Sequence, residues 1–281
     1  MPMAEPKRKH LQRSALSPFR YPGGKSWLMP VIQAWLRDPA KHLVEPFAGG
    51  GNITLGALSE KLASRATMIE LDPDVAAVWQ VVLNGQADWL ANRIYTFALS
   101  RSVVSAELDR TPRSLRDKAW LTLLRNRVSH GGIIAAGSGF LKKGERGNGL
   151  KSRWYPETLG RRIKAVNGFK KRITFVRGDG LLWIEKNLAK LNSRMTALFI
   201  DPPYALAGQR LYSFADLDHR RLFELVSRVS CRVLMTYEDS SEVRALAREF
   251  GFRIRKVKML SRQNVAKTEL LIAKDFEWLR N

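Results

Sequence analysis

The sequence contains a single cysteine, Cys231, so a disulfide framework is excluded and the chain fits a reducing compartment. Its four histidines, His10, His42, His130 and His219, are scattered and show no metal-ligand spacing, so no metal is expected. No apolar run approaches the roughly 18 residues that a membrane-spanning helix needs. The basic start is not followed by an apolar segment, so a secretory signal is not expected either, and the expected location is the cytoplasm. Repeats and long low-complexity tracts are missing as well. The most telling shortage is of negative charge: 26 Asp and Glu stand against 48 Lys and Arg, a formal net charge of +22. An excess of that size strains a compact fold by self-repulsion and marks a polyanionic partner, nucleic acid foremost.

What the sequence does have is a regular alternation. Apolar runs that read as strands lie at His42–Glu45, Thr67–Leu71, Ile173–Val176, Thr196–Ile200, Arg232–Tyr237, Arg253–Lys258 and Glu269–Ala273. Helix-like stretches fall between them, from Ser59 onward and over Asp74–Leu83, Leu181–Leu191, Asp218–Val229 and Ser241–Phe250. Strands alternating with helices predict an α/β fold, a doubly wound and mostly parallel sheet covered on both faces. The last two runs are joined by a loop too short for a helical crossover, so they should pair antiparallel.

The alternation stops between residues 97 and 171, where two helices, Leu115–Val128 and Glu157–Val166, flank a loop. This segment holds 17 Lys or Arg against 5 Asp or Glu, a net +12, which is more than half of the whole excess. Residues 131–150 contain seven glycines interleaved with cations, a composition that lets backbone and side chains approach phosphates closely. The expected organisation is therefore a flexible basic arm over 1–16, a catalytic domain over 17–96 and 172–281, and an inserted nucleic-acid-binding subdomain over 97–171.

Three motifs carry chemistry. The first strand runs into Glu45-Pro-Phe-Ala-Gly-Gly-Gly51, a glycine turn of the kind that lets a ligand approach the carboxyl ends of parallel strands. The next strand ends in Glu70-Leu-Asp72, about 20 residues on, where an acid is positioned to hold ribose hydroxyls. Together they suggest a nucleoside-containing cofactor. The segment Phe19–Ser26 ends Gly-Lys-Ser, but a phosphate loop needs glycine where Phe19 stands, so nucleotide hydrolysis is not supported. The third motif, Asp201-Pro-Pro-Tyr204, closes a strand that reads as central. Its carboxylate and a neighbouring carbonyl can accept both hydrogens of an amino group and turn the nitrogen lone pair towards an electrophile. The prolines fix those directions in advance, and Tyr204 offers a face for a flipped base.

With Arg20-Tyr-Pro-Gly-Gly-Lys25, Glu45–Gly51, Arg177-Gly-Asp-Gly180 and Asp201–Tyr204 in this order, the chain resembles the S-adenosylmethionine-dependent DNA adenine methyltransferases of the alpha group, over roughly residues 17–275. The resemblance implies a seven-stranded Rossmann-like methyltransferase sheet with a helical target-recognition insert. It also implies that Tyr21, Lys25, Glu45, Phe47, Gly49, Gly51, Glu70, Asp179 and Asp201 bind the cofactor. Asp201, Pro202, Pro203 and Tyr204 would form the catalytic motif. Double-stranded DNA is the implied partner, with a bacterial or phage origin expected, as in restriction–modification or phage-type modification; the sequence does not reveal the oligomeric state, a monomer being slightly favoured. For DNA contacts the candidates are Arg125, Arg127, His130, Lys142, Lys143, Arg146, Lys151 and Arg153. Members that read GATC carry an aromatic and an arginine after an Asn-Arg pair. Here His130 and Ala135 stand at those places, after Asn126-Arg127, which removes the bidentate donor for guanine. The expected specificity is relaxed, or directed to a short site other than GATC. An RNA amino-group methyltransferase and a catalytically decayed basic DNA-binding protein are the competing readings.

Overall fold

The computed structural model describes residues 16–20, 24–134, 139–141, 147–203, 217–260 and 266–279. Seven strands form one sheet in the order β3-β2-β1-β4-β5-β7-β6. They are β1 (Ala40–Glu45), β2 (Ala63–Glu70), β3 (Ile173–Arg177), β4 (Thr196–Ile200), β5 (Arg232–Glu238), β6 (Arg253–Leu260) and β7 (Ala266–Ala273). The first five neighbours in that order pair parallel. Strand β7 runs antiparallel between β5 and β6, as the short last connection required. β4 is buried along its whole length, which is why it reads as an unbroken apolar run instead of an alternating one.

The pleat divides the core. Leu43, Ala197 and Phe199 point into one apolar cluster, while Val44, Leu198 and Ile200 point into the other. The helices are α1 (Met29–Trp35), α2 (Asn52–Ser59), α3 (Pro73–Val81), α4 (Ala87–Thr96), α5 (Arg101–Leu108), α6 (Leu115–Val128), α7 (Pro156–Asn167), α8 (Gly180–Lys186), α9 (Leu188–Leu191), α10 (His219–Ser227) and α11 (Ser241–Glu249). The first cluster contains residues of α1 to α7, and the second contains residues of α8 to α11. Among the described residues no helix is long and apolar enough to cross a membrane.

Three expectations change. The helix after β1 ends at Ser59 instead of starting there, because it begins directly at the glycine turn. Gly56 disguises it: glycine weakens a helix, but here a Cβ would lie 2.5 Å from Met29 Sδ, so glycine is what lets α1 and α2 approach. The stretch expected as one helix over Leu181–Leu191 breaks at Asn187 into α8 and α9. Finally, α1, α4 and α5 were not foreseen; α4 continues from α3 through a π turn kinked at Gly85, φ +82°.

The segment 97–171 shares the core with the rest of the chain. Trp120, Leu123, Leu124 and Val128 of α6, with Leu159, Ile163 and Val166 of α7, belong to the same cluster as Trp79 and Val78 of α3. Its middle is fastened to the N-terminal stretch as well. The Asn126 side chain accepts from Arg20 N at 2.8 Å and donates to Arg20 O at 3.0 Å and Gly132 O at 2.8 Å.

Candidate active site

The parallel strands deliver their carboxyl ends to one edge of the sheet. Past β1 the chain turns through Gly49 and Gly51, with φ of +46° and +60°, a backbone region that favours glycine. Gly51 is doubly constrained, since a Cβ would come within 2.7 Å of Met68 Cε and 3.0 Å of the Trp79 ring. Trp79 Nε1 donates to Gly49 O at 2.9 Å and holds the turn from beneath.

Glu70 ends β2 and ties this turn to its own loop. Its carboxylate accepts from Gly49 N at 2.7 Å and from Asp72 N at 2.9 Å. Asp72 caps α3, accepting from Asp74 N and Val75 N. Glu45 lies deeper; its Oε2 accepts from Thr54 N at 3.1 Å and Thr54 Oγ1 at 2.6 Å and pins the start of α2 to the end of β1. The structure thus shows Glu45 and Glu70 shaping the turn from inside. Burial pushes the Glu45 carboxyl up to about 8 and that of Glu70 up to about 7.

Asp179 follows β3 and caps α8 by accepting from Leu182 N at 3.0 Å. Gly180 sits against the glycine turn, where a Cβ would lie 2.2 Å from Pro46 O. Two large apolar side chains stay exposed here, Leu71 at 40% in the loop after β2 and Leu182 at 51% in the first turn of α8. They accompany Glu70 and Asp179 and give a flat aromatic ring apolar surface to lie on. The sequence reading missed both.

Asp201 ends β4, next to β1 in the sheet. Its Oδ1 accepts from Thr236 Oγ1 at 2.7 Å and faces Lys25 Nζ at 2.9 Å. Lys25 is buried at 4% exposure, and its ammonium also lies 3.6 Å from Glu269 Oε1. Burial alone would lower the lysine pKa, but Asp201 and Glu269 outweigh it and the net shift is upward. The structure therefore places the Lys25 charge at Asp201, the base-holding end of the expected site. Glu269 was not foreseen. It is an acid inside the apolar run of β7, buried at 5% exposure, and burial pushes it up to about 7.

Pro202 is buried, while Pro203 and Phe47 are half-buried. Tyr21 and Tyr204 lie outside the described residues, as do Ala135, Lys142, Lys143 and Arg146. Of the other expected DNA contacts, His130 and Lys151 are exposed, and Arg125 and Arg153 are half-buried. Arg127 requires correction. It is buried at 3% exposure and its guanidinium donates to Pro18 O, so it fastens residues 17–20 to α6 and is not available to DNA. Burial, with Arg162 and Arg20 nearby, pulls its pKa down to about 9. Charge counting could not separate it from its exposed neighbours.

Acids stand at the carboxyl ends of the strands in a strongly basic chain: Glu70 and Asp72 at the end of β2, Asp179 after β3 and Asp201 after β4, with Lys25 the buried cation held at Asp201. Such a set favours a cationic ligand. Residues 21–100 match the D12 class N6 adenine-specific DNA methyltransferase family. The matched stretch holds Lys25, the glycine turn, Glu70 and Asp72, and it supports methyltransferase chemistry. No curated protein matches the chain by sequence. Among solved structures, the rRNA methyltransferase aviRa from Streptomyces viridochromogenes is similar with a TM-score of 0.43 and 12% identity, covering 90% of this chain and 86% of that one. Precorrin-6y C5,15-methyltransferase from Geobacter metallireducens is similar with a TM-score of 0.39 and 9% identity, covering 88% and 87%. At these scores neither is a guide to substrate.

The D12 family implies S-adenosylmethionine, and the residues fit it. The positive-φ glycines let backbone come close, Leu71 and Leu182 offer apolar surface beside two acids, and the surplus of carboxylates suits a sulfonium that also carries an ammonium group.

Proposed function

We propose that this protein is a DNA adenine methyltransferase that takes an adenine flipped out of duplex DNA and methylates its exocyclic N6 amino group. The observation that carries the proposal is Asp201 at the end of β4, beside the strand that leads into the glycine turn and gripped by Lys25 and Thr236. Bound S-adenosylmethionine supplies an electrophilic methyl group on a sulfonium. Everything else falls to the chain. Asp201 and the Pro202 carbonyl accept the two amino hydrogens, which holds the nitrogen lone pair out of conjugation with the ring. Tyr204 stacks on the flipped base. Glu45 and Glu70 keep the turn in shape, and Leu71, Leu182 and Asp179 hold the cofactor's adenine end.

The basic segment 97–171 supplies the DNA surface, with Arg125, His130, Lys151 and Arg153 as its contacts among the described residues. Phosphate contacts raise affinity for every sequence alike. With no guanine reader at Ala135, target choice is relaxed or directed to a site other than GATC. Incubation with labelled cofactor and either duplex DNA or RNA, followed by nucleoside analysis, tests the reading. N6-methyladenine in DNA is the expected product. Label confined to RNA would shift the assignment to an RNA methyltransferase, and no label in either would leave a binding protein. Sequencing the methylated adenines of a treated genome then checks specificity, and modification confined to GATC would refute it. Lys151→Ala should lower affinity for all duplexes equally and reduce the salt slope by about 0.9, measured by fluorescence anisotropy at several salt concentrations.

The buried acids give a further expected result. Glu45, Glu70 and Glu269 have folded-state pKa values of about 8, 7 and 7, all above the ordinary 4.5. Each binds its proton more tightly when folded, so its contribution to stability is greatest below the unfolded value. That contribution is lost as pH rises towards the folded value. The ligand-free Tm should therefore fall between about pH 5 and pH 8. Because S-adenosylmethionine brings positive charge to these acids, it should raise Tm more at the upper end of that window. Scanning calorimetry with and without the cofactor checks both statements, and a ligand-free Tm that climbs across the window would contradict them.

A further inference from the structure

A buried acid in a central apolar strand is costly unless it is paired or has work to do. Lys25 already has a carboxylate partner in Asp201 at 2.9 Å, and an ion pair needs only one. Glu269 adds a second at 3.6 Å and leaves the trio with an excess negative charge. Its Oε2 is buried without a hydrogen-bond partner among the described residues. The antiparallel course of β7 makes this possible, because it brings the beginning of that strand to the edge where the parallel strands end. There Glu269 pairs in register with Glu238 of β5.

Resting on the adenine-methylating reading, we infer that Glu269 is the terminal acceptor of the proton that N6 loses, reached from Asp201 through Lys25. After methylation the nitrogen carries a positive charge and one hydrogen too many. The N6–H bond breaks towards Asp201, whose carboxylate takes the proton. Lys25 gives a proton of its own ammonium to Glu269 and receives the one held by Asp201. One proton has then moved from N6 to Glu269. Lys25 is again an ammonium and Asp201 again a carboxylate, and two opposite charges have been cancelled inside the cleft. No oxidant, reductant or further reactant is involved.

The charged groups that face Glu269 are Lys25 from the turn before α1, Asp201 from the end of β4 and Glu238 from β5. On β6 its register partner is the uncharged Val257, flanked by Lys256 and Lys258. Burial, with Glu238 and Asp201, raises the affinity of Glu269 for a proton, and Lys25 opposes this, leaving a value of about 7. The acceptor form is therefore gained as pH rises through neutrality.

The test uses the full chain, a duplex containing adenine, labelled S-adenosylmethionine and single-turnover rates across that range. Wild type should accelerate with a midpoint of about 7. E269Q preserves shape and, at saturating cofactor, should lower the plateau by at least about tenfold and flatten the profile. E269D should restore a pH-dependent rate. In the ligand-free protein, the carboxyl resonance of labelled glutamate that disappears in E269Q should titrate at the same midpoint. An E269Q profile and plateau like those of wild type, or a resonance that titrates in the ordinary carboxylate range, would overturn the relay while leaving the methyltransferase reading intact. Failure of wild type itself to methylate adenine would overturn both.

Discussion

Asp201→Ala should lower the rate of methyl transfer by at least about 10²–10³-fold, the usual cost of losing one preorganised electrostatic group, while S-adenosylmethionine still binds. In the proposed mechanism the carboxylate grips the target amino group most strongly as positive charge develops on the nitrogen, so its loss would fall on turnover. A structural side effect has to be separated from this. Asp201 is the nearer acid to a buried ammonium and the acceptor for Thr236 Oγ1, both in the protein interior. Removing one partner of a buried pair can cost about 3–5 kcal/mol, but Glu269 remains beside Lys25 and limits the damage. Asp201→Asn keeps the shape and an acceptor oxygen and should be nearly as slow, because the negative charge is gone. Rapid-quench turnover, cofactor calorimetry and thermal unfolding on the same preparations distinguish the two effects. Wild-type turnover in either variant would remove Asp201 from the mechanism.

Gly180→Ala should damage cofactor binding from outside the cofactor's own contacts. The added Cβ would meet Pro46 O at 2.2 Å and Pro46 C at 2.9 Å, backbone atoms of the glycine turn that have no flexible end to swing away. Either α8 or the turn must move. Overpacking of this kind costs about 1–3 kcal/mol. A cofactor that bridges the two loops should lose a similar amount, which is about tenfold in Kd for each 1.4 kcal/mol. Gly139→Ala is the matched control, since nothing lies within 4 Å of its Cβ position. Calorimetry and unfolding of the two variants side by side decide the matter. Unchanged affinity in Gly180→Ala would show that the loops beyond β1 and β3 do not form one cradle.

The parts of the architecture that were legible are those whose signal is local. All seven strands were found, β4 as a short unbroken apolar run buried on both faces and the others as apolar stretches set between turns. The glycine turn, Glu70, Asp179 and Asp201 could be read as one group because each stands at or just past the end of a strand. Helices were harder to read where tertiary contact overrides propensity. Gly56 looks like a breaker until Met29 is packed on it, and Pro30 obscures α1 although proline is well tolerated in a first helical turn. What could not be read is what the fold brings together over long separations. Lys25, Asp201 and Glu269 meet from three distant places in the chain, and no spacing rule connects them. Arg127 failed for a similar reason, because its burial is decided by residues 17–20 folding back onto α6.

The shared core has a consequence for protein engineering. Recognition segments of DNA-modifying enzymes are attractive to transplant, and residues 97–171 resemble a cassette when judged by charge. Lifting them out would strip α3 and α4 of Trp120, Leu124, Leu159 and Ile163, and would sever the Asn126 clamp on Arg20. A chimera cut at those borders should aggregate instead of acquiring a new target. Any exchange has to leave α6 and α7 in place, together with Gly132, which Asn126 holds, and Trp154, which packs on Phe97 and Trp120.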